Sequence, residues 1–303
     1  MFDSSSVTQR SFRLEMLQVA RLAPRLLGES TELVEAFLRS KMTSEGGFAD
    51  REGRPDLYYT VFGLEGLLAL QKALPLASVA PYLESFGDGE RLDFVHLCSL
   101  ARCLGNAGCL EIISCSGNGL AARIEAFRAP DGGYHGTPGK AQGSAYGALL
   151  AWGAYADLGI TMPGQGHLKH SLQRLRLSDG SFANEPALKQ GTVTATAAAV
   201  TLLRLLGEVP DATTGQWLLK QALPNGGFLA TPGAPLPDLL STATALHALA
   251  SLEVDFTTIK EPCLDFVDTL WSAEGGFHGH WADDDLDAEY TCYGLLALGH
   301  LSL

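Results

Sequence analysis

The densest group of ionisable side chains is the run Asp283-Asp284-Asp285-Leu286-Asp287, with Glu289 just after it and His278 and His280 just before. Asp283, Asp284 and Asp287 read as Asp-Asp-x-x-Asp, and carboxylate oxygens so grouped are the donors that a hard cation such as Mg2+ takes. His278 and His280, as His-x-His, could add nitrogen ligands. A plainer cause for the same run is electrostatic, since acidic groups at a helix N-terminus gain roughly 0.3–1 kcal/mol each from the helix dipole. Both readings stay open on spacing alone. Arg51 and Arg54 are a second candidate group, two cations able to hold an anionic part of a substrate. Asp50, Glu52 and Asp56 surround them and could equally leave them as solvated loop arginines. Cys98, Cys103, Cys109 and Cys115 lie close together, but no two form a Cys-x-x-Cys pair, so they read as small apolar thiols.

These groups must be positioned by a chain of 303 residues, 46% hydrophobic and 18% charged, with 34 glycines and 6 cysteines. Its 21 Lys+Arg against 34 Asp+Glu give a net charge of −13. That argues against nucleic acid, whose phosphates need clustered cations, and against attraction to an anionic membrane surface. The low charged fraction and high apolar fraction exclude a disordered chain. The longest apolar stretch, 146–160, is broken by Gly153, Asp157 and Gly159, short of the ~18–20 residues a spanning helix needs. Residues 1–10 are polar and Ser-rich without a signal-peptide pattern, and the cysteines are too few for a disulfide scaffold. The expected compartment is the cytoplasm.

The glycines fall in a repeat. Glu45-Gly46-Gly47-Phe48, Asp131-Gly132-Gly133-Tyr134, Asp179-Gly180-Ser181-Phe182, Asn225-Gly226-Gly227-Phe228 and Glu274-Gly275-Gly276-Phe277 share one form. A degenerate copy at Asp88-Gly89 divides the one long gap, leaving six repeats of 43–49 residues across 1–303. After each turn comes an apolar, small-residue stretch that predicts a helix buried on every side: 56–70, 92–104, 143–158, 191–206, 238–252 and 287–301. Between them lie more polar, amphipathic stretches at 31–42, 76–86, 118–129, 167–177, 213–223 and 263–272, with an extra helix at 8–27. Val and Ile are too sparse, and alternation too rare, to predict strands. Six inner helices wrapped by six outer ones predict an all-α, (α/α)6 toroid forming a single domain. Asp56, Asp238 and Asp287 stand where inner-helix N-caps belong.

The Gly-Gly-aromatic turn followed by Asp-x-x-x-Thr resembles the prenyltransferase and squalene-cyclase repeat family. Two segments look especially like the β subunits of protein prenyltransferases: Gly46-Gly47-Phe48-Ala49-Asp50-Arg51, continuing through Asp56-Leu57-Tyr58-Tyr59-Thr60, and Asp287-Ala288-Glu289-Tyr290-Thr291-Cys292-Tyr293. The resemblance implies an isoprenoid substrate in a central cavity and a soluble enzyme that is not membrane-spanning. It also implies either a helical α-type partner subunit or a homodimer. Carried over residue by residue, the family's zinc ligands fall on Asp238, Leu240 and Tyr290, one ligand where zinc needs about three, so zinc is not expected. The family's diphosphate-binding positions fall on Thr231, Ala234 and Gln190, none of them basic.

Class II terpene cyclases of the same family protonate an alkene with an Asp-x-Asp-Asp carboxylic acid at the start of an inner helix. Aligned on Thr291, those positions are Asp287, Ala288, Glu289 and Tyr290, which makes Asp287 and Glu289 the candidate acids. The Asp-Asp-x-x-Asp reading of Asp283, Asp284 and Asp287 is the Mg2+–diphosphate signature of class I isoprenoid enzymes, here without a second acidic motif to face it. Tyr59, Phe62, Tyr146, Trp152 and Tyr293, with His96 and His247, are expected at the ring centre. There they either line an apolar hole for a prenyl chain or fill it as core. Three functions follow: a prenyltransferase-like enzyme without zinc, an acid-initiated terpene cyclase, and a non-catalytic toroid that binds a lipid or a protein.

Overall fold

The computed structural model describes residues 11–303. In chain order the helices are α1 (Phe12–Ala20), α2 (Pro24–Leu27), α3 (Thr31–Ser40), α4 (Leu57–Ala69), α5 (Leu76–Glu84), α6 (Phe94–Ala107) and α7 (Leu110–Glu125). They continue as α8 (Ala145–Asp157), α9 (Gln165–Gln173), α10 (Val193–Leu205), α11 (Ala212–Leu219), α12 (Leu239–Ser251), α13 (Thr257–Thr269) and α14 (Ala288–Leu301). Each of α4, α6, α8, α10 and α12 packs on the next of the set, α12 packs on α14, and α14 packs back on α4, closing the ring. The six outer helices α3, α5, α7, α9, α11 and α13 each pack on the inner helix that follows.

One local device starts every inner helix. Asp56, Asp93, Ser144, Thr192, Asp238 and Asp287 each accept the backbone N–H three residues on, capping α4, α6, α8, α10, α12 and α14. Such a cap stabilises a helix by about 1 kcal/mol. In four repeats a threonine one turn into the helix ties this cap to the preceding turn. Thr60, Thr196, Thr242 and Thr291 accept the backbone N–H of Phe48, Phe182, Phe228 and Phe277 through Oγ1. Three of those hydroxyls in turn donate to the carbonyl of the capping aspartate: Thr60 to Asp56, Thr242 to Asp238 and Thr291 to Asp287. The aromatic rings themselves are buried, Phe48 and Phe277 lying against Gly63 and Gly294, where any Cβ would meet the ring.

The structure departs from the sequence expectation in several places, among them the last outer helix, expected at 263–272 and found at Thr257–Thr269. Residues 8–10 of the extra helix lie outside the described residues, and the rest divides into α1 and α2, with Pro24 opening the second. The outer helix expected at 118–129 begins at Leu110 and ends at Glu125, because Gly108 at φ +64° ends α6 and lets the next helix start at once, running through Gly117 and Gly119. Two two-residue antiparallel ladders also form, Phe48–Ala49 with Pro55–Asp56 and Phe228–Leu229 with Pro237–Asp238. They close the loops between turn and cap and are too short to alter the all-α architecture.

α1 lies against α14 and α4, and so tightly that a Cβ on Gly299 would sit 2.2 Å from the Val19 carbonyl oxygen. Arg13 and Glu15 of α1 pair with Asp157 and Arg204, at or near the C-terminal ends of α8 and α10. This helix therefore plugs the end of the ring where the inner helices finish, leaving the capped N-terminal ends as the open rim. Among the described residues, no helix is long and apolar enough to cross a membrane.

Ring closure can be tested at Gly275. Its φ is +94°, and a Cβ there would lie 2.2 Å from the carbonyl oxygen of Leu33, on the outer helix of the first repeat. Gly275→Ala is expected to cost at least about 2 kcal/mol of unfolding free energy in urea, from backbone strain plus the clash. Gly166→Ala, where nothing lies within 4 Å, is the control and is expected to be neutral or slightly stabilising. Equal stabilities for the two variants would mean that the seam does not close as described.

Candidate active site

The ring encloses two connected chambers. The larger, about 460 Å3, reaches the rim, where it is lined by Tyr58, Tyr146, Asn184, Thr192 and Leu240 from the starts of inner helices and the adjoining loops. Tyr146 is 42% exposed there, which marks the opening. The smaller, about 90 Å3, has Phe12, Met16, Leu17 and Ala20 of α1 in its lining. Phe62, Arg102, Leu149, Thr194, Ala198, Thr244 and Tyr293 border both chambers. The lining is mostly apolar, as suits a site that holds a hydrocarbon chain.

One wall is aromatic. Tyr58 and Phe62 meet edge to face at 5.0 Å between centroids, and Phe62 meets Tyr293 at 5.5 Å. Tyr58 and Phe62 lie four residues apart on one helical face of α4, and ring closure brings both against α14. There the Tyr58 hydroxyl donates to Glu289 Oε1 at 2.5 Å. Oε2 of Glu289 has no hydrogen-bond partner among the described residues. Burial raises the Glu289 carboxyl to about 7, with the Asp287 charge adding to the rise, while Tyr58 and Arg51 pull the other way. A substantial share of the molecules therefore carry a neutral carboxyl there at pH 7; Glu289 itself is not among the residues lining either chamber and reaches the larger one through Tyr58, which does line it. Burial also pushes Tyr58 far up, so its phenol stays protonated.

The rim carries the acidic run, and Arg51 is spoken for by it. Its guanidinium bonds Asp287 at 2.8 Å, Asp283 at 3.0 Å and Asp285 at 3.3 Å, and it also lies over the Tyr290 ring. Asp287, only 2% exposed, divides its oxygens between Arg51 and the cap on α14, and burial raises its carboxyl. Asp284 is exposed and borders a separate polar groove with Asp285 and Lys41. The structure thus brings Asp283 and Asp287 together on a cation and leaves Asp284 apart. No group of three His, Cys, Asp or Glu side chains among the described residues is placed to hold a metal, so the run does not fit Mg2+. The family's zinc positions do not fit zinc either: Asp238 caps α12 with both oxygens on Ser241, Leu240 lines the cavity, and Tyr290 stacks on Arg51. Arg54 is exposed and paired with Asp50 and Glu52.

Of the aromatic residues expected at the centre, Phe62, Tyr146 and Tyr293 line the cavity. Tyr59 stands one residue out of phase, beside Arg51 and the two rim carboxylates, and burial raises it to about 12. Trp152 is 2% exposed and is not among the residues lining either chamber. His247 borders the small chamber, hydrogen-bonded to His300 at 3.1 Å; burial lowers the pair to about 4 and about 3, so both are neutral. Sequence reasoning missed Tyr58, and it missed Glu65 and Arg102, a bidentate pair at 2.6 Å between α4 and α6. The signal for the last two was present: single charges inside otherwise apolar helices.

The family model of the prenyltransferase alpha-alpha toroid domain matches residues 27–101, 91–214 and 165–301. Among solved structures, a variant of the type II terpene cyclase MstE from Scytonema, in complex with its substrate geranylgeranyl dihydroxybenzoate, is 13% identical with a TM-score of 0.59. The alignment covers 96% of this chain and 97% of that one. A second variant, with the product merosterolic acid A, is 14% identical over 95% and 97% at a TM-score of 0.58. A protein from Actinoplanes is 14% identical over 90% and 98% at 0.57. These are likenesses of fold. No curated protein sequence matches the chain.

At the rim His96 bridges two caps, with Nε2 3.1 Å from Asp56 and Nδ1 2.9 Å from Asp93. The hydrogen bond with Asp56, then that with Asp93, raises the imidazole from 6.5 to about 9 against the opposing effect of burial. A histidine with a raised folded value contributes stability that is fully present below its unfolded value and lost as pH rises through the folded one. Unfolding free energy should therefore decline between about pH 6.5 and pH 9, and His96→Gln should flatten that decline. Superimposable pH profiles for the two proteins would remove His96 from the account.

Proposed function

The chain belongs to the prenyltransferase alpha-alpha toroid family, and on that premise we propose that it is an acid-initiated cyclase of an isoprenoid chain, with Glu289 as the proton donor. The observation that carries the reading is the largely buried Glu289 carboxyl, which accepts at 2.5 Å from the hydroxyl of Tyr58, itself part of the aromatic wall of the 460 Å3 cavity. Oε2 donates its proton to an alkene carbon of the bound chain. The π electrons form the new C–H bond, leaving a tertiary carbocation that a neighbouring double bond attacks. The Tyr58 hydrogen bond steadies the carboxylate left behind, which makes the buried group a stronger acid than burial alone would allow. The faces of Phe62, Tyr146 and Tyr293 stabilise the migrating positive charge. Apolar walls keep water from quenching it early. Loss of a proton or capture of a water ends the sequence, and Glu289 is reprotonated from the rim.

The other functions fit less of the site. A transferase of the same family would use the same cavity, but Leu240 and Tyr290 leave it without a metal to activate a thiolate, and Arg51 and Arg54 are already paired with carboxylates. A purely structural toroid leaves unexplained why a largely buried carboxylate with no ion-pair partner among the described residues is held by Tyr58, a residue of the cavity wall. Asp287 acts in this scheme as a positioning residue, holding Arg51 and the start of α14.

Incubation with all-trans geranylgeranyl compounds and analysis by gas chromatography tests the reading. Wild-type protein is expected to form cyclic products, with kcat/KM falling about tenfold per pH unit above about 7 as the acid form is lost. Glu289→Gln is expected to lower turnover by at least about 100-fold while substrate still binds, and Tyr58→Phe by about tenfold. Wild-type turnover in Glu289→Gln would exclude Glu289 as the donor.

A further inference from the structure

The cavity is not uniformly apolar. Arg102, on α6, borders both chambers, and its side chain keeps 17% of its surface open although it stands inside the ring. Its Nε and Nη2 both donate to Glu65 at 2.6 Å. Nη1 is the one guanidinium nitrogen of Arg102 with no hydrogen-bond partner among the described residues. Thr194 on α10 and Thr244 on α12 border the same two chambers from other sides of the ring. The Thr244 hydroxyl gives its proton to the Leu240 carbonyl at 2.7 Å, so its oxygen is left as an acceptor.

The charges behind this belt cancel. Glu65 faces Arg102, Asn106 links Glu65 at 3.2 Å to Arg13 at 2.8 Å, and Arg13 ends on Asp157 at 2.6 Å. Two guanidinium groups meet two carboxylates, and the network is anchored on α4, α6, α8 and the plug helix α1. An anion at Nη1 would be met by Glu65 at close range. A hydrocarbon would cover Nη1 and leave charged N–H groups dry and unbonded, which is costly.

We infer that Arg102 Nη1, in a cavity that Thr194 and Thr244 also line, is a recognition point for a single uncharged oxygen acceptor on the substrate, of the hydroxyl, carbonyl or ether type. This rests on the isoprenoid reading of the cavity and adds a requirement to it: the chain that enters is oxygenated, and its oxygen is held at the level where the two chambers join. Neither a diphosphate nor a carboxylate meets that requirement. The site lies well inside the cavity, so it also fixes how far the chain enters relative to Glu289 at the rim.

Binding of three probes of one carbon skeleton tests the inference: all-trans geranylgeraniol, the tetraene hydrocarbon lacking its hydroxyl, and geranylgeranoic acid, each followed by quenching of intrinsic fluorescence. The wild-type protein is expected to bind the alcohol about tenfold or more tightly than the hydrocarbon, and the acid no more tightly than the alcohol. Glu65→Leu/Arg102→Met, which removes both charges together, is expected to keep hydrocarbon binding and lose the preference. Arg102→Lys, which keeps the charge but not the planar fork, is expected to reduce it and serves if the double variant unfolds. Equal wild-type affinities for alcohol and hydrocarbon, or a preference that survives loss of Arg102, would overturn the inference and leave the isoprenoid cavity standing. Failure of all three probes to bind would overturn both.

Discussion

The placement of the site depends on the cap that opens each inner helix, reinforced in three repeats by a hydrogen-bonded link from the backbone N–H of the turn phenylalanine to a threonine hydroxyl and on to the carbonyl of the capping aspartate. At Phe48, Thr60 and Asp56 the two bonds are 2.9 and 2.6 Å. The link fixes where an inner helix begins relative to the turn before it. Related caps open all six inner helices, so they all start at one rim. Whatever residues occupy their first turns are then gathered around one opening. Tyr58, Tyr146, Leu240 and Glu289 stand close to their caps for this reason, though up to 231 residues separate those that touch.

The same closure decides how charge is handled inside the ring. Charged groups taken from water cost several kcal/mol each unless they are paired and hydrogen-bonded. Arg102 with Glu65 and Arg51 with Asp283 and Asp287 meet that condition, while Asp157 meets it in part: Oδ1 is bonded to Arg13, Oδ2 is buried without a partner among the described residues, and burial raises the carboxyl to about 6. Glu289 does not: its partner is a neutral phenol. Burial therefore raises its carboxyl with no hydrogen-bonded cation among the described residues to offset the rise, and its partner Tyr58 lines the cavity. The plug helix α1 contributes at the other end by sealing the ring, so the chambers are reached from the rim where Tyr146 is exposed.

The architecture was legible because its signal is steric. The first glycine of each turn has a positive φ, and Gly46, Gly226 and Gly275 stand so near the next outer helix that no other residue fits without movement. Those demands recur with the repeat and can be counted in the sequence. The site was legible only in outline. Asp287 and Glu289 were both visible as carboxylates at a helix start, but what separates them is which neighbour ring closure supplies: Arg51 for one, Tyr58 for the other. The same holds for Tyr58 against Tyr59, adjacent residues whose roles are set by the phase of α4 relative to α14. The run at 283–287 suggested a cation, and the structure supplies one, the guanidinium of Arg51.

The proposed chemistry requires a Glu289 carboxyl raised to about 7, so that a substantial share of it is protonated at neutral pH. Infrared difference spectroscopy of the wild-type protein against Glu289→Gln, titrated from about pH 4 to pH 9, observes that proton directly through the carboxyl stretch. The account predicts a protonated-carboxyl band assigned to Glu289 that disappears with a midpoint near pH 7. A band already gone by about pH 5, as for an ordinary glutamate, would contradict it.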